Sequence, residues 1–215
     1  SNHVPIIRNQ ISNKYNHHLE AIVDQSGQIA AGMVVFWSEG ESLVVIPPLP
    51  VAHDLWVDGA DPSHLIELIS KPRTIGVVLL RLGRYAIGVN EGDKIIASKT
   101  GTRYVKNRHR AGGSSQRRFE RSRERLTREF FDEVCAATKK VFLSLEKIDN
   151  FILGGEKQTL MKFEKRCSLV QHLRPITLNR ILNIGRPGQV SLEKTPREIW
   201  KSRLIGFSEK KHRVQ

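Results

Sequence analysis

The stretch Thr74-Ile-Gly-Val-Val-Leu-Leu-Arg81 decides the fold. Its apolar residues do not alternate with polar ones, and the run is of strand length, bounded by Thr74 and Arg81. Such a run suits a central strand covered on both faces, as in a sheet sandwiched between helices. Immediately downstream, residues 84–90 and 94–100 flank Glu91-Gly92-Asp93 and predict a hairpin. Upstream, Asp61 is placed to cap a helix over 61–70, with Pro62 at its first position and Lys71-Pro72 closing it. Residues 29–37 and 43–46, separated by Ser38-Glu39-Gly40-Glu41, predict another hairpin, which Pro47, Pro48 and Pro50 stop. Residues 1–18 are polar, carry His17-His18 and read as a tail.

Beyond Val105 the pattern changes to a basic Gly/Ser loop and then to a helical repeat. Phe119, Leu126, Phe130, Val134, Ala137, Val141 and Leu145 lay one apolar stripe along a helix over 115–145. At 1.5 Å per residue that helix is about 40 Å long, so its basic first half is expected to project beyond the body. A short strand at 151–153 runs into Gly154-Gly155, followed by a helix over 156–165 and a strand over 178–184 closed by Gly185-Arg186-Pro187-Gly188. Thr195-Pro196-Arg197-Glu198 has the form of a capping box, which predicts a final helix carrying Ile199, Trp200 and Leu204. The order gives an α/β protein, a mixed sheet with flanking helices and one long basic helix.

The chain has 215 residues, 39% of them hydrophobic, which is enough for a core and too many for a disordered polymer. Its apolar runs fall far short of the roughly 20 residues of a membrane helix, so a soluble protein with no membrane partner is expected. The N-terminus lacks the layout of a secretory leader, and the expected compartment is the cytoplasm. Cys135 and Cys167 are the two cysteines, and they read as reduced thiols that neither staple a domain nor make a zinc site. No metal cluster, phosphate loop or dinucleotide fingerprint is present, so no cofactor is expected and a nucleotide-driven motor is disfavoured.

Lys and Arg number 35 against 22 Asp and Glu, a net +13. The excess is concentrated, since residues 101–130 hold ten cations against three glutamates, a net +7. Nine of the ten are arginine, whose planar fork pairs bidentately with phosphate and stacks on bases, which favours a nucleic-acid partner over a solubilising surface. The cationic candidates for RNA contact are Arg103, Lys106, Arg108, His109, Arg110, Arg117, Arg118, Arg121 and Arg125. Within Arg108-His-Arg-Ala-Gly-Gly-Ser-Ser-Gln-Arg-Arg-Phe119, Gly112 and Gly113 let backbone N–H groups approach a ligand. The helix start beside them offers unpaired donors and a positive dipole end. Ser114 or Ser115 equally suits a plain helix cap.

The segment Arg84-Tyr-Ala-Ile-Gly-Val-Asn-Glu-Gly-Asp-Lys-Ile-Ile-Ala-Ser-Lys-Thr-Gly-Thr-Arg-Tyr-Val105, with the Gly-Gly-Ser-Ser-Gln loop and the Arg/Phe helix, resembles the release-factor-like tRNA hydrolase domain of the VLRF type. That domain occurs in a eukaryotic ribosome quality control protein with ankyrin repeats and a zinc finger, both lacking here, and in stand-alone bacterial relatives. More distantly the chain is similar to the middle domain of eukaryotic peptide chain release factor, with Phe151-Ile-Leu-Gly-Gly155 at the strand and glycine pair after its long helix. The resemblance covers roughly residues 65–208. With the local readings of the N-terminal segment, the expected organisation is a polar tail at 1–18, an N-terminal extension with a β-hairpin at 19–60, and a release-factor-like catalytic domain at 61–215 that the resemblance implies.

By position, the resemblance makes Gln116 the counterpart of the release factor's loop glutamine, with Gly112, Gly113, Ser114 and Ser115 as the loop that presents it. Ser114 and Ser115 separate Gly113 from Gln116, a departure from the release factor's Gly-Gly-Gln. The implied activity is that of a peptidyl-tRNA hydrolase, a monomer acting on peptidyl-tRNA held by a large ribosomal subunit. A carboxamide does not titrate, so Gln116 would orient a water or hydroxyl and donate to developing charge. Two reactions fit: water attacking the peptide ester, or a ribose 2′-hydroxyl attacking its own phosphate in the tRNA acceptor end, with His109 as a proton shuttle. The competing readings are a non-catalytic ribosome-rescue protein and a general RNA-binding protein.

Overall fold

The computed structural model describes residues 32–38, 41–53, 55, 57, 59, 61–105 and 114–208. The chain divides into two compact units, one of residues 72–199 and one of residues 1–71 with 200–215.

In the larger unit the apolar run becomes strand β3 (Thr74–Arg81), with Ile75 through Leu80 buried. It is buried because it lies at the centre of a five-stranded sheet, with neighbours on both edges and helices on both faces. The strands in chain order are β3, β4 (Arg84–Glu91), β5 (Lys94–Thr102), β6 (Asn150–Gly155) and β7 (Thr177–Leu182). Their spatial order is β5-β4-β3-β6-β7. Strand β3 pairs antiparallel with β4 and parallel with β6, so the sheet is mixed as the sequence predicts.

The long helix α2 (Ser114–Phe142) crosses one face, where Phe130, Phe131, Val134, Val141 and Phe142 pack on Val78, Leu80, Tyr85, Ile87, Val89, Phe151 and Leu153. Helix α3 (Lys157–Arg166) adds Leu160 and Phe163 to the same core. It is followed by α4 (Ser168–His172) and a 3₁₀ turn at Arg174–Ile176. On the other face, α5 (Gln189–Glu193) packs against β4 and β5 and α6 (Thr195–Ile199) against β7. There Asn90 Nδ2 donates to Thr195 Oγ1 across 2.9 Å, a buried polar link between strand and helix.

The glycine pair of Phe151-Ile-Leu-Gly-Gly155 has two separate geometric reasons. At Gly154 a Cβ would press on Leu79 and Leu182, the side chains of the flanking strands. Gly155 has φ +117°, and the Leu80 carbonyl oxygen occupies the place of a Cβ. The pair thus lets β6 end flush between β3 and β7, where the chain turns into α3.

The smaller unit holds the hairpin β1 (Val34–Ser38) and β2 (Glu41–Ile46), as the sequence predicts. Helix α1 (Ser63–Ser70) starts one residue later than expected: Pro62 O accepts from Ile66 N, so Pro62 is the cap, while Asp61 Oδ1 accepts from Ser63 N at 2.9 Å. The expected final helix is corrected. Helix α6 lasts five residues, and Leu204 lies in strand β8 (Arg203–Ser208), which pairs antiparallel with β2. The Thr195 hydroxyl, read as a cap, donates to Leu192 O and accepts from Asn90. The local signal for a helix was real, and pairing with a distant strand ended it.

The cysteines are also corrected. Cys135 on α2 and Cys167, between α3 and α4, form a disulfide across Cα atoms 5.6 Å apart. They meet because α3 packs on α2, a contact between residues 32 apart in sequence that spacing alone does not reveal. Constraining a loop of that length stabilises a fold by about 4 kcal/mol on the chain-entropy account. A thermal melt with and without a dithiol reductant should show the oxidised protein more stable by that order.

Asp149 ties the crossover to the sheet. Its Oδ2 accepts from Thr74 N at 2.9 Å, its Oδ1 pairs with Lys147 at 2.8 Å, and its own N–H donates to Thr74 O. The Lys147 ammonium, and after it the Thr74 amide, hold the Asp149 carboxyl below its ordinary range. A carboxylate depressed in the folded state contributes stability above its unfolded pKa and loses it as pH falls through the lower folded value. Asp149→Asn should therefore cost about 1–2 kcal/mol at neutral pH and progressively less under strong acid, as read by urea unfolding across pH.

Candidate nucleic-acid interface

Helix α2 changes character along its length. Every residue described from 116 to 129 is at least partly exposed, and burial begins at Phe130. The apolar stripe anchors the C-terminal half, with Phe130, Val134, Ala137 and Val141 buried, whereas Phe119 and Leu126 are only half-buried. The first half is the part that carries the charge.

Arginines 117, 121, 125 and 128 are spaced by 4, 4 and 3, and Arg118 lies three residues before Arg121. At 3.6 residues per turn these five form one stripe, on the side of the helix opposite Phe130 and Val134. Arg117, Arg118 and Arg121 are exposed and make no ion pair among the described residues. Arg125 Nη1 reaches Glu129 Oε1 at 3.1 Å and keeps most of its side chain in solvent.

Gln116 is the third residue of α2 and is exposed; it stands eighteen residues, or five whole turns, before Val134, and so on the side of the helix away from the arginine stripe. Its Nε2 donates to Glu120 Oε1 at 3.0 Å, one turn further on. Ser114 and Ser115 occupy the first turn of the helix, and their side chains lie outside what is described. Lys106, Arg108, His109, Arg110, Gly112 and Gly113 also lie outside the described residues.

Arg103 has a different position from the other candidates. Its Nη1 donates to Glu133 Oε2 at 3.0 Å and its Nη2 to Glu129 Oε2 at 2.8 Å, while the Tyr85 hydroxyl donates to Glu133 Oε1 at 3.3 Å. The Glu133 and Glu129 carboxylates push the already high Arg103 pKa further up, and burial, reinforced by Glu133, raises the Tyr85 phenol. Arg103 N also donates to Gly83 O at 3.0 Å. The end of β5 is thereby clamped to α2 and to the β3–β4 turn. This fixes the helix angle from the root of the basic loop, a positioning role that sequence reading missed because the partners lie 26 and 30 residues away.

Sequence reading also missed Arg166, whose Nε and Nη2 both donate to Asp132 at 2.7 Å in a bidentate bridge between α3 and α2. Beside it opens a cleft of about 550 Å³ between the two helices.

The model of the Actinobacteria/chloroflexi VLRF1 release factor family matches residues 73–205. The chain belongs to this VLRF1 release-factor family. Among curated proteins it is similar to peptide chain release factor subunit 1 of Methanopyrus kandleri, 26% identical over 155 residues, covering 70% of this chain and 37% of that protein. The corresponding factor of Pyrobaculum aerophilum is 29% identical over 133 residues, covering 61% and 34%. That of Thermococcus kodakarensis is 30% identical over 157 residues, covering 70% and 37%. The VLRF1 chain thus spans about a third of the length of these curated relatives. Among solved structures, an archaeal translation termination factor, aRF1, aligns with TM-score 0.42 at 16% identity over 70% of this chain and 45% of that one. The Vms1 mitochondrial localization core aligns with TM-score 0.47 at 13% identity over 91% and 86%. The family bears out the resemblance read from the hairpin, the loop and the Arg/Phe helix. Among the described residues no helix is long and apolar enough to cross a membrane.

Proposed function

We propose that this VLRF1 protein is a cytoplasmic, monomeric peptidyl-tRNA hydrolase that frees nascent chains from tRNA on stalled or split large ribosomal subunits. The observation that carries the reading is the position of Gln116: an exposed carboxamide in the first turn of a long helix whose exposed first half carries five arginines along another side, in a chain of a release-factor family. The stripe supplies attraction to the tRNA and ribosomal RNA backbone, and it is sequence-independent. The segment 106–113 carries Gly112 and Gly113, whose lack of side chains would let backbone N–H groups close on a carbonyl or phosphate oxygen, together with Lys106, Arg108, His109 and Arg110 to neutralise phosphate.

Gln116 acts as a donor and orienter. Water attacks the ester carbonyl, a tetrahedral oxyanion forms, and the Gln116 Nε2–H and loop amides stabilise it until the ribose 3′-oxygen leaves and takes a proton. The Glu120 carboxylate holds that carboxamide in the free protein and must give it up, or share it, when the acceptor end arrives. The same donor set suits the other reaction, in which the ribose 2′-oxygen attacks the adjacent phosphorus, expels the next ribose's 5′-oxygen and leaves a cyclic phosphate.

The bond is identified by the 3′ end of the tRNA after reaction with a large-subunit peptidyl-tRNA complex. An intact acceptor end with free peptide is the expected product, and a shortened end bearing a cyclic phosphate assigns the second reaction. Peptide still esterified to full-length tRNA contradicts the hydrolase reading.

A further inference from the structure

The cleft between α2 and α3 lies at the carboxyl ends of the parallel strands β3 and β6, since its wall includes Leu82 just past β3 and Glu156 just past β6. That is the edge at which open α/β sheets hold ligands. At about 550 Å³ it falls within the range of small-ligand sites. Its lining is of three kinds. Arg123, Arg128 and Lys162 supply positive charge, with Arg166 fixed in place by its two bonds to Asp132. Leu82 and the small exposed part of the otherwise buried Phe131 give an apolar floor. Glu124 and Glu156 place carboxylates in the same wall, and Glu156 Oε2 also accepts from the Thr159 hydroxyl.

A purely phosphate-binding surface has no use for the carboxylates, and an apolar pocket has none for the cations. One ligand uses all three: a nucleotide, with its phosphate on the cations, its base against Leu82 and the small exposed part of Phe131, and an exocyclic base amine donating to a carboxylate. Arg128 belongs both to this cleft and to the stripe that begins at Arg117 beside Gln116. Eleven residues of helix separate Arg117 from Arg128, about 16 Å, so the arginine stripe forms a cationic track from the first turn of α2 to the cleft.

We propose that the α2–α3 cleft seats one nucleotide of single-stranded RNA and prefers a base that carries an exocyclic amine. It rests on the reading of α2 as an RNA-facing helix and adds a base-reading subsite distant from the Gln116 tip.

The test is binding of fluorescent RNA hexamers of cytidine and of uridine at 50 mM salt, read by anisotropy. The wild-type protein should prefer the cytidine hexamer about fivefold, a modest value for carboxylate–amine discrimination. Arg128→Glu with Lys162→Glu, both on exposed side chains, should weaken binding at least tenfold and flatten its salt dependence by losing about two phosphate contacts. Glu124→Gln with Glu156→Gln should remove the cytidine preference. Ultraviolet cross-links from the cytidine hexamer should map to 123–131 and 156–166, an arm that needs no variant. Gln116→Ala should bind the hexamers as wild type does, so loss of peptide release with retained binding separates a failure of the cleft from a failure of the hydrolase reading. Unchanged affinity in the charge-reversed variant, equal binding of both hexamers, or cytidine monophosphate competing at the hexamer's own affinity would overturn the assignment.

Discussion

Gln116→Ala should lower the rate of peptide release from large-subunit peptidyl-tRNA by about 10²–10³-fold, the usual consequence of removing one donor from an oxyanion site. The effect should fall on the chemical step. Gln116 is one exposed, uncharged side chain on the side of α2 away from the five arginines, so the variant keeps the surface that attracts RNA. Single-turnover rates at saturating protein, with the dissociation constant measured separately by filter binding, distinguish the two. The expected result is a collapsed rate with an unchanged dissociation constant. Ala at this position also leaves helix propensity intact, so the melting temperature should stay within a degree or two of wild type. Charge removal along the stripe should do the opposite, weakening binding in a salt-dependent way before it touches the rate.

Phe130→Ala should destabilise the larger unit by about 3–5 kcal/mol, the cost of deleting a buried aromatic with incomplete collapse around the hole. Phe130 is fully buried, and its ring lies 6.2 Å from that of Tyr85 and 5.7 Å from that of Phe131. It is also the first fully buried residue of α2, so its loss releases the point where the helix leaves the body. Phe119→Ala, three turns earlier and half-buried, should cost about 1 kcal/mol. Urea unfolding measures both. The same division predicts that amides of 117–128 exchange with solvent faster than those of 131–141, because the first half of the helix lacks buried packing.

The contrast between what was legible in the sequence and what was not follows the range of the interactions. Strand β3 was legible because a strand covered on both faces has a run of apolar side chains that no other element of that length needs. The β4–β5 hairpin was legible because its turn is local, with Gly92 at φ +59°. Helix α2 was legible over nearly its whole length from its repeat. In each case the deciding contacts lie within a few residues or repeat with a fixed period.

The misses were set from far away in the chain. The segment after Thr195 carries a helix-start signal, but Arg203–Ser208 pairs with Glu41–Ile46, and that register is invisible locally. The disulfide depends on α3 docking against α2, as does the cleft, which gathers side chains from the β3–β4 turn, α2 and α3. Arg103 was read with its basic neighbours as an RNA contact, although Glu129 and Glu133, one helical turn apart, were available as partners once α2 packs beside β5. The arginine spacing of 4, 4 and 3 was in the sequence and is the signal that would have separated the exposed stripe from the clamp.

The most direct test of the central claim is single-turnover peptide release by the wild-type chain from isolated large subunits carrying peptidyl-tRNA. The account predicts release far faster than spontaneous hydrolysis and dependent on Gln116. A tight complex of the protein with the subunit in which the peptide stays attached to its tRNA would contradict it and make this VLRF1 chain a non-catalytic rescue factor.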